Sequence, residues 1–107
     1  MTINIKNLGL TNYKDTLGAM KCFVDQLPTK DELWITEHYP IFTTGVNKKK
    51  SVIPKMNIPH LFVDRGGKIT YHGPGQLIIY TLINIKENNL TIRQLVSLLE
   101  NSIIDFL

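Results

Sequence analysis

Cysteine is nearly missing from this 107-residue chain: Cys22 is the only one. A single thiol excludes an internal disulfide framework and any zinc cluster built on cysteines. Long apolar runs are missing too, and no stretch approaches the ~20 residues that cross a bilayer as a helix. Met1-Thr2-Ile3-Asn4-Ile5-Lys6 lacks the basic start and apolar core of a secretory signal. A cytoplasmic location without a membrane partner is therefore expected. Charge of one sign is scarce, with a net charge of +3. Lys48-Lys49-Lys50 is the dense basic run, and it reads as a solvated loop sooner than as a docking patch for an acidic partner. No nucleic-acid motif accompanies it, so nucleic acid is not an expected partner. There is neither a P-loop nor a G-x-G-x-x-G opening a helix, so nucleotide binding of those kinds is unsupported. His38, His60 and His72 show no i, i+4 spacing, and no Cys or carboxylate completes a ligand pattern. No metal site is expected from them.

The residues that are present describe one globular domain with a modest core, 43% hydrophobic and 20% charged. Ile3, Ile5 and Leu8 suggest a short first strand. Tyr13, Leu17, Met20, Val24 and Leu27 repeat at helical spacing, with Thr11 or Asn12 as cap and Pro28 after the end. Cys22 falls off that stripe and reads as an incidental surface thiol, because a nucleophilic thiol needs a nearby base. Glu32 to Thr36 reads as a strand anchored by Trp34, and Glu37 to Gly45 as a departure from it at Pro40. Lys48 to Asn57 reads as a polar loop, His60 as a loop residue, and Leu61-Phe62-Val63 as a short strand. Thr91 and Gln94 make a capping-box pattern before a helix with the stripe Ile92, Leu95, Val96, Leu99 and Ile103.

The chain is organised around Asp64-Arg65-Gly66-Gly67-Lys68-Ile69-Thr70-Tyr71-His72-Gly73-Pro74-Gly75-Gln76, which holds four of the seven glycines. Lys68 to His72 reads as a strand, Gly73-Pro74-Gly75 as a turn, and Leu77 to Ile83 as a buried strand. Glycine lets a backbone take positive φ and lets a ligand lie against it. Exposed N–H groups beside Arg65 and Lys68 suit an anionic or carbonyl-bearing ligand.

Arg65 to Gln76, in the order Arg-Gly-Gly-x-x-Thr-Tyr-His-Gly-Pro-Gly-Gln, closely resembles the signature of the octanoyltransferases of lipoate biosynthesis, relatives of the biotin and lipoate protein ligases. Glu37-His38-Tyr39-Pro40-Ile41-Phe42-Thr43-Thr44-Gly45 is similar to the family's upstream motif, at a similar spacing. The resemblance runs over nearly all of the chain but covers only the N-terminal half of the family's usual length. It implies an α/β fold of the α+β type: a mixed, mostly antiparallel sheet with flanking helices, the first half (residues 1–107) of a biotin/lipoate ligase-like catalytic domain. It implies octanoyl transfer from octanoyl-acyl carrier protein to a lysine of a lipoyl domain, by thioester exchange and amide formation, with no ATP and no cofactor. The implied partners are that carrier protein and the lipoyl domains of 2-oxoacid dehydrogenases and the glycine cleavage H protein.

By the same resemblance, Arg65, Gly66, Gly67, Lys68, Ile69, Thr70, Tyr71 and His72 form a wall of the acyl pocket. Gly66 and Gly67 give backbone access there. Tyr71 and His72 orient the acyl carbonyl or the acceptor lysine, and Gly73, Pro74 and Gly75 shape the adjoining turn. The family's catalytic Cys and Lys match no position here. The second helix runs to Asp105-Phe106-Leu107 without a stop signal, as expected of a chain cut within a larger domain. Two alternatives follow: an incomplete remnant that only binds an acyl group or partner, or an adenylating lipoate or biotin ligase. The Thr-Tyr-His-Gly-Pro-Gly-Gln continuation argues against the adenylating ligase.

Overall fold

A computed structural model describes residues 3–45, 57–65 and 67–107. The basic run Lys48-Lys49-Lys50, most of the polar loop around it, and Gly66 lie outside the described residues. The elements in chain order are β1 (Ile3–Thr11), α1 (Tyr13–Asp25), β2 (Asp31–His38), β3 (Ile41–Thr44), β4 (His60–Phe62), β5 (Ile69–His72), β6 (Ile78–Leu82) and α2 (Ile92–Phe106).

The strands form two three-stranded sheets, ordered β1-β2-β6 and β4-β3-β5. β2 runs parallel to β1 and antiparallel to β6. β3 runs parallel to β4 and antiparallel to β5. The class is the expected mixed α+β, but parallel and antiparallel pairing share each sheet equally. α1 makes the crossover from β1 to β2 that parallel neighbours require.

β2 alternates strictly, burying Glu32, Trp34, Thr36 and His38 on one face. Trp34 is the expected anchor, tilted against Phe23 of α1 at 5.9 Å between ring centroids. Its indole N–H donates to Glu32 Oε1 at 2.8 Å, and Lys6 pairs with the same carboxylate at 3.2 Å. Those donors, the indole first, hold the Glu32 carboxyl below the usual carboxylate range. The buried residues are otherwise rich in hydroxyls: Thr16, Thr36, Thr43 and Thr44. Each is satisfied, as Thr36 Oγ1 is by donating to the Gly9 carbonyl at 2.7 Å.

Asn12 caps α1, its Oδ1 accepting from the N–H groups of Lys14 and Asp15. The inward line of α1 differs from the expected stripe. Thr16 and Met20 are buried, whereas Leu17 and Val24 are exposed and Leu27 lies past the helix end at φ +50. Thr16 turns inward because its hydroxyl donates to Thr11 Oγ1 and to the Asn12 carbonyl, a reason hydropathy does not register. Cys22 is exposed, as its position off the stripe predicts.

Two further expectations change. Ile41–Thr44 is a strand, not an irregular departure, and Pro40 only separates it from β2. His60 belongs to β4, where its Nε2 bonds Thr44 Oγ1 at 2.5 Å. Of the expected strand Leu77 to Ile83, Ile78–Leu82 forms β6, and the run is not fully buried: Leu77 is 66% and Ile79 51% exposed. β6 is an edge strand of its sheet.

α2 begins on the expected capping box, with Thr91 Oγ1 accepting from Gln94 N–H at 3.1 Å and Gln94 Oε1 from Thr91 N–H at 2.8 Å. None of its residues is buried, so its apolar stripe faces outward. Among the described residues, no helix is long and apolar enough to cross a membrane.

Candidate functional site

The site lies where the C-terminal end of β2, the start of α1, β5 and β6 meet. Tyr13, the first residue of α1, stacks on the His72 ring at 5.6 Å with an interplanar angle of 14°. His38, the last residue of β2, presents its ring edgewise to both, at 5.1 Å from Tyr13 and 6.1 Å from His72. Tyr80 of β6 closes the group, with its hydroxyl 2.8 Å from His38 Nε2.

His38 is fully buried, and its bonds define its state. Its Nδ1 lies 3.2 Å from the Thr11 carbonyl, which can only accept, and 3.2 Å from the Thr11 hydroxyl, whose own hydrogen goes to Thr36 Oγ1 at 2.7 Å because Thr36 donates to the Gly9 carbonyl. Nδ1 therefore carries the hydrogen, and Nε2 accepts from the Tyr80 hydroxyl. Burial pushes the His38 pKa below the ordinary histidine value, against the pull of the Thr11 carbonyl and reinforced by charge on His72. Burial likewise raises Tyr13, opposed by the Arg65 cation. Tyr80 is raised well above the ordinary tyrosine value, first by burial and then by Tyr13. Tyr13, His38 and Tyr80 are thus neutral near pH 7. Both His38 nitrogens are engaged, which leaves it no lone pair for a metal.

Below this cluster, Arg65 fastens the motif loop. Its Nη2 donates to the carbonyls of Thr43 and Lys68 at 3.0 and 3.1 Å, and to Thr70 Oγ1 at 2.8 Å. Thr43 and Thr70 face each other across β3 and β5 and join hydroxyls at 2.9 Å. Gly67 takes φ +96, the left-handed region that favours glycine. Past the strand, Glu37 Oε1 accepts from the Gly75 N–H at 2.6 Å, tying the turn to the end of β2. His72 Nδ1 lies 3.1 Å from Gln76 Oε1.

The described members of the eight expected wall residues divide between two faces. Arg65, Thr70 and His72 come together on one side. Ile69 and Tyr71 alternate to the other face of β5. There Tyr71 packs on Phe42 at 5.3 Å and covers Gly73, where an added Cβ would lie 2.7 Å from its Cζ. Tyr71 and His72 thus face opposite sides of β5. Lys68 is exposed and offers its carbonyl to Arg65, and Gly66 lies outside the described residues. Tyr13 and Tyr80 did not stand out in the sequence, where they read as ordinary helix and strand residues. His38 had one usable signal, its place in the upstream motif. An open groove of about 600 Å3 beside Phe23, Leu27, Pro28 and Leu82 shares no lining residue with this cluster.

A family model, the lipoyl protein ligase A/B catalytic domain, matches residues 12–107. The chain belongs to this family. Among curated members, it is 49% identical over 109 residues to an octanoyltransferase of Shewanella frigidimarina, covering 99% of this chain and 50% of that protein. It is 49% identical over 108 residues to the octanoyltransferase of Buchnera aphidicola subsp. Baizongia pistaciae, covering 98% and 53%. The octanoyltransferase of Shewanella denitrificans is 47% identical, at 99% and 48%. The chain thus spans about half the length of the curated family members it matches. Both motifs that carry the resemblance, Glu37 to Gly45 and Arg65 to Gln76, lie inside the matched span.

Proposed function

We propose that residues 1–107 supply the acyl-side half of an octanoyltransferase site, with octanoyl-acyl carrier protein as donor and a lipoyl-domain lysine as acceptor. The observation that carries this reading is the 49% identity to proteins named octanoyltransferase across nearly the whole chain. The geometry supports it. Arg65 and Gly67 lead into β5, Thr70 lies within it and His72 ends it, with a left-handed backbone at Gly67 where a carbonyl can approach N–H groups. Lys68, Ile69 and Tyr71 belong to the same loop and strand as its supports, and Gly66 joins them by the motif alone. Lipoyl domains of 2-oxoacid dehydrogenases and the glycine cleavage H protein are the acceptors in this reading, and the cytoplasm is its compartment.

The chain alone completes no transfer in this reading. Cys22 is exposed on α1, with no hydrogen-bond partner among the described residues, and a nucleophilic thiol needs a base beside it. Mixing the chain with octanoyl-carrier protein should give no octanoyl adduct by intact mass. An adduct lost on Cys22→Ser would contradict this. The positive test is a chimera joining residues 1–107 to the remaining half of the Shewanella frigidimarina octanoyltransferase. It is expected to add one octanoyl group to a lipoyl domain without ATP. A chimera that is folded but transfers nothing overturns the proposal. One that releases pyrophosphate from ATP and octanoate is an adenylating ligase instead.

A further inference from the structure

Two imidazoles stand 6.1 Å apart in the site, and their partners assign them different states. His38 is closed at both nitrogens. His72 is bonded at one. Gln76 Nε2 lies 3.4 Å from the Tyr71 carbonyl, which can only accept. The amide nitrogen therefore faces that carbonyl, and Oε1 faces His72 Nδ1 at 3.1 Å. An amide oxygen also only accepts, so Nδ1 carries the hydrogen. In neutral His72 the lone pair then sits on Nε2, which has no partner among the described residues. The groups facing the ring from neighbouring elements are Tyr13 of α1 and His38 of β2, both neutral near pH 7, and the Arg65 cation acts on Tyr13.

We propose that Gln76 is a positioning residue that holds His72 as the Nδ1–H tautomer and leaves Nε2 as the open proton acceptor of the site. This rests on the acyl-transfer reading above and deepens it. An acceptor lysine arrives as an ammonium, and its nitrogen attacks a thioester only as the neutral amine. One ammonium N–H bond breaks and an Nε2–H bond forms, giving the amine and an imidazolium. The imidazolium then returns that proton from Nε2 to water. The opposite tautomer would point an N–H at the lysine and accept nothing.

The test is the two-bond nitrogen–proton spectrum of the histidine-labelled 107-residue chain at pH 7.5. His72 is expected with Nδ1 protonated and Nε2 bare. Gln76→Leu is expected to move His72 toward the Nε2–H form while His38 keeps its own pattern, which reports the intact fold. Gln76→Glu restores an oxygen acceptor. It should return the Nδ1–H form and raise the pH at which His72 becomes imidazolium, because a carboxylate favours the cation. A side chain that only packs would do neither. Wild-type His72 in the Nε2–H form overturns the proposal, as does an unchanged spectrum in Gln76→Leu, or a His38 signal without its Nδ1–H. Should Gln76→Leu unfold the chain, Gln76→Glu decides by the same two readings. No acyl donor is used, so failure here is separate from failure of octanoyl transfer in the chimera.

Discussion

The Glu37 carboxylate accepts the Gly75 N–H at 2.6 Å across 38 residues of sequence. Glu37 precedes His38, whose ring backs His72, so one step of β2 braces the motif twice: at the ring and at the turn. Bonds of an amide to an ionised carboxylate are stronger than neutral ones. Glu37→Ala is expected to cost about 1 kcal/mol at this half-buried position. Gly75→Ala is expected to cost a further 1 kcal/mol or so, because φ is +88 there. Urea unfolding of both variants measures these losses, and an unchanged midpoint for Glu37→Ala would show that the bond adds no stability.

Gly67 should separate activity from stability, and Arg65 should not. A Cβ at Gly67 would lie 3.1 Å from Arg65 Nη1, the far end of a flexible side chain, so strain at φ +96 is the main cost. Gly67→Val in the chimera is expected to lose about 1–3 kcal/mol of stability and well over tenfold in octanoyl transfer. Arg65→Ala should lose both activity and stability, since its Nη2 donates to the loop's own carbonyls. Lys49→Ala, in the basic run outside the described residues, is the comparison and should change little except at low salt. A Lys49→Ala loss as large as that of Gly67→Val would move the site to that run.

Stability should fall on the acid side in two stages. The folded His38 pKa is lowered, so the unfolded chain takes up its proton first. Its contribution is present above about pH 6.5, the unfolded value, and is lost as pH falls toward the lower folded value. Glu32 is lowered too, and its contribution is present above about pH 4.3 and lost below it. Denaturant midpoints between pH 8 and pH 3 should step down in both windows. Glu32→Gln should flatten only the lower step, and an unflattened profile would assign that step to another carboxylate.

The outward face of α2 should drive association. Ile103 is 62% and Phe106 88% exposed, on a helix that buries nothing among the described residues. A continuous apolar surface of this kind marks an interaction site or an aggregation liability. Sedimentation should show concentration-dependent association of the chain, reduced by Ile103→Lys with Phe106→Lys. A monomer with a sharp thermal transition at high concentration would show that the exposed stripe is tolerated.

Local chemistry was legible in the sequence. The capping box depends on Thr91 and Gln94 three residues apart, and the start of α2 follows from that spacing alone. β5 and its turn follow from the glycines and Pro74, because turn residues act on their own backbone. The order of residues from Arg65 to Gln76 was enough to point to the family. What the sequence left open is where each side chain meets another from far away.

Tyr13 of α1 and His72 of β5 stack although they lie in segments far apart in the sequence. The burial of Thr16, Thr36 and Thr43 depends on hydroxyl partners that hydropathy cannot rank. Tyr71 and His72 look like a pair in sequence, yet strand alternation sends them to opposite faces. Propensity and spacing act through neighbouring backbone, so the sequence by itself determined the elements and the motif. Which atoms share a site is a matter of register and packing between distant segments, and only the tertiary structure decided it.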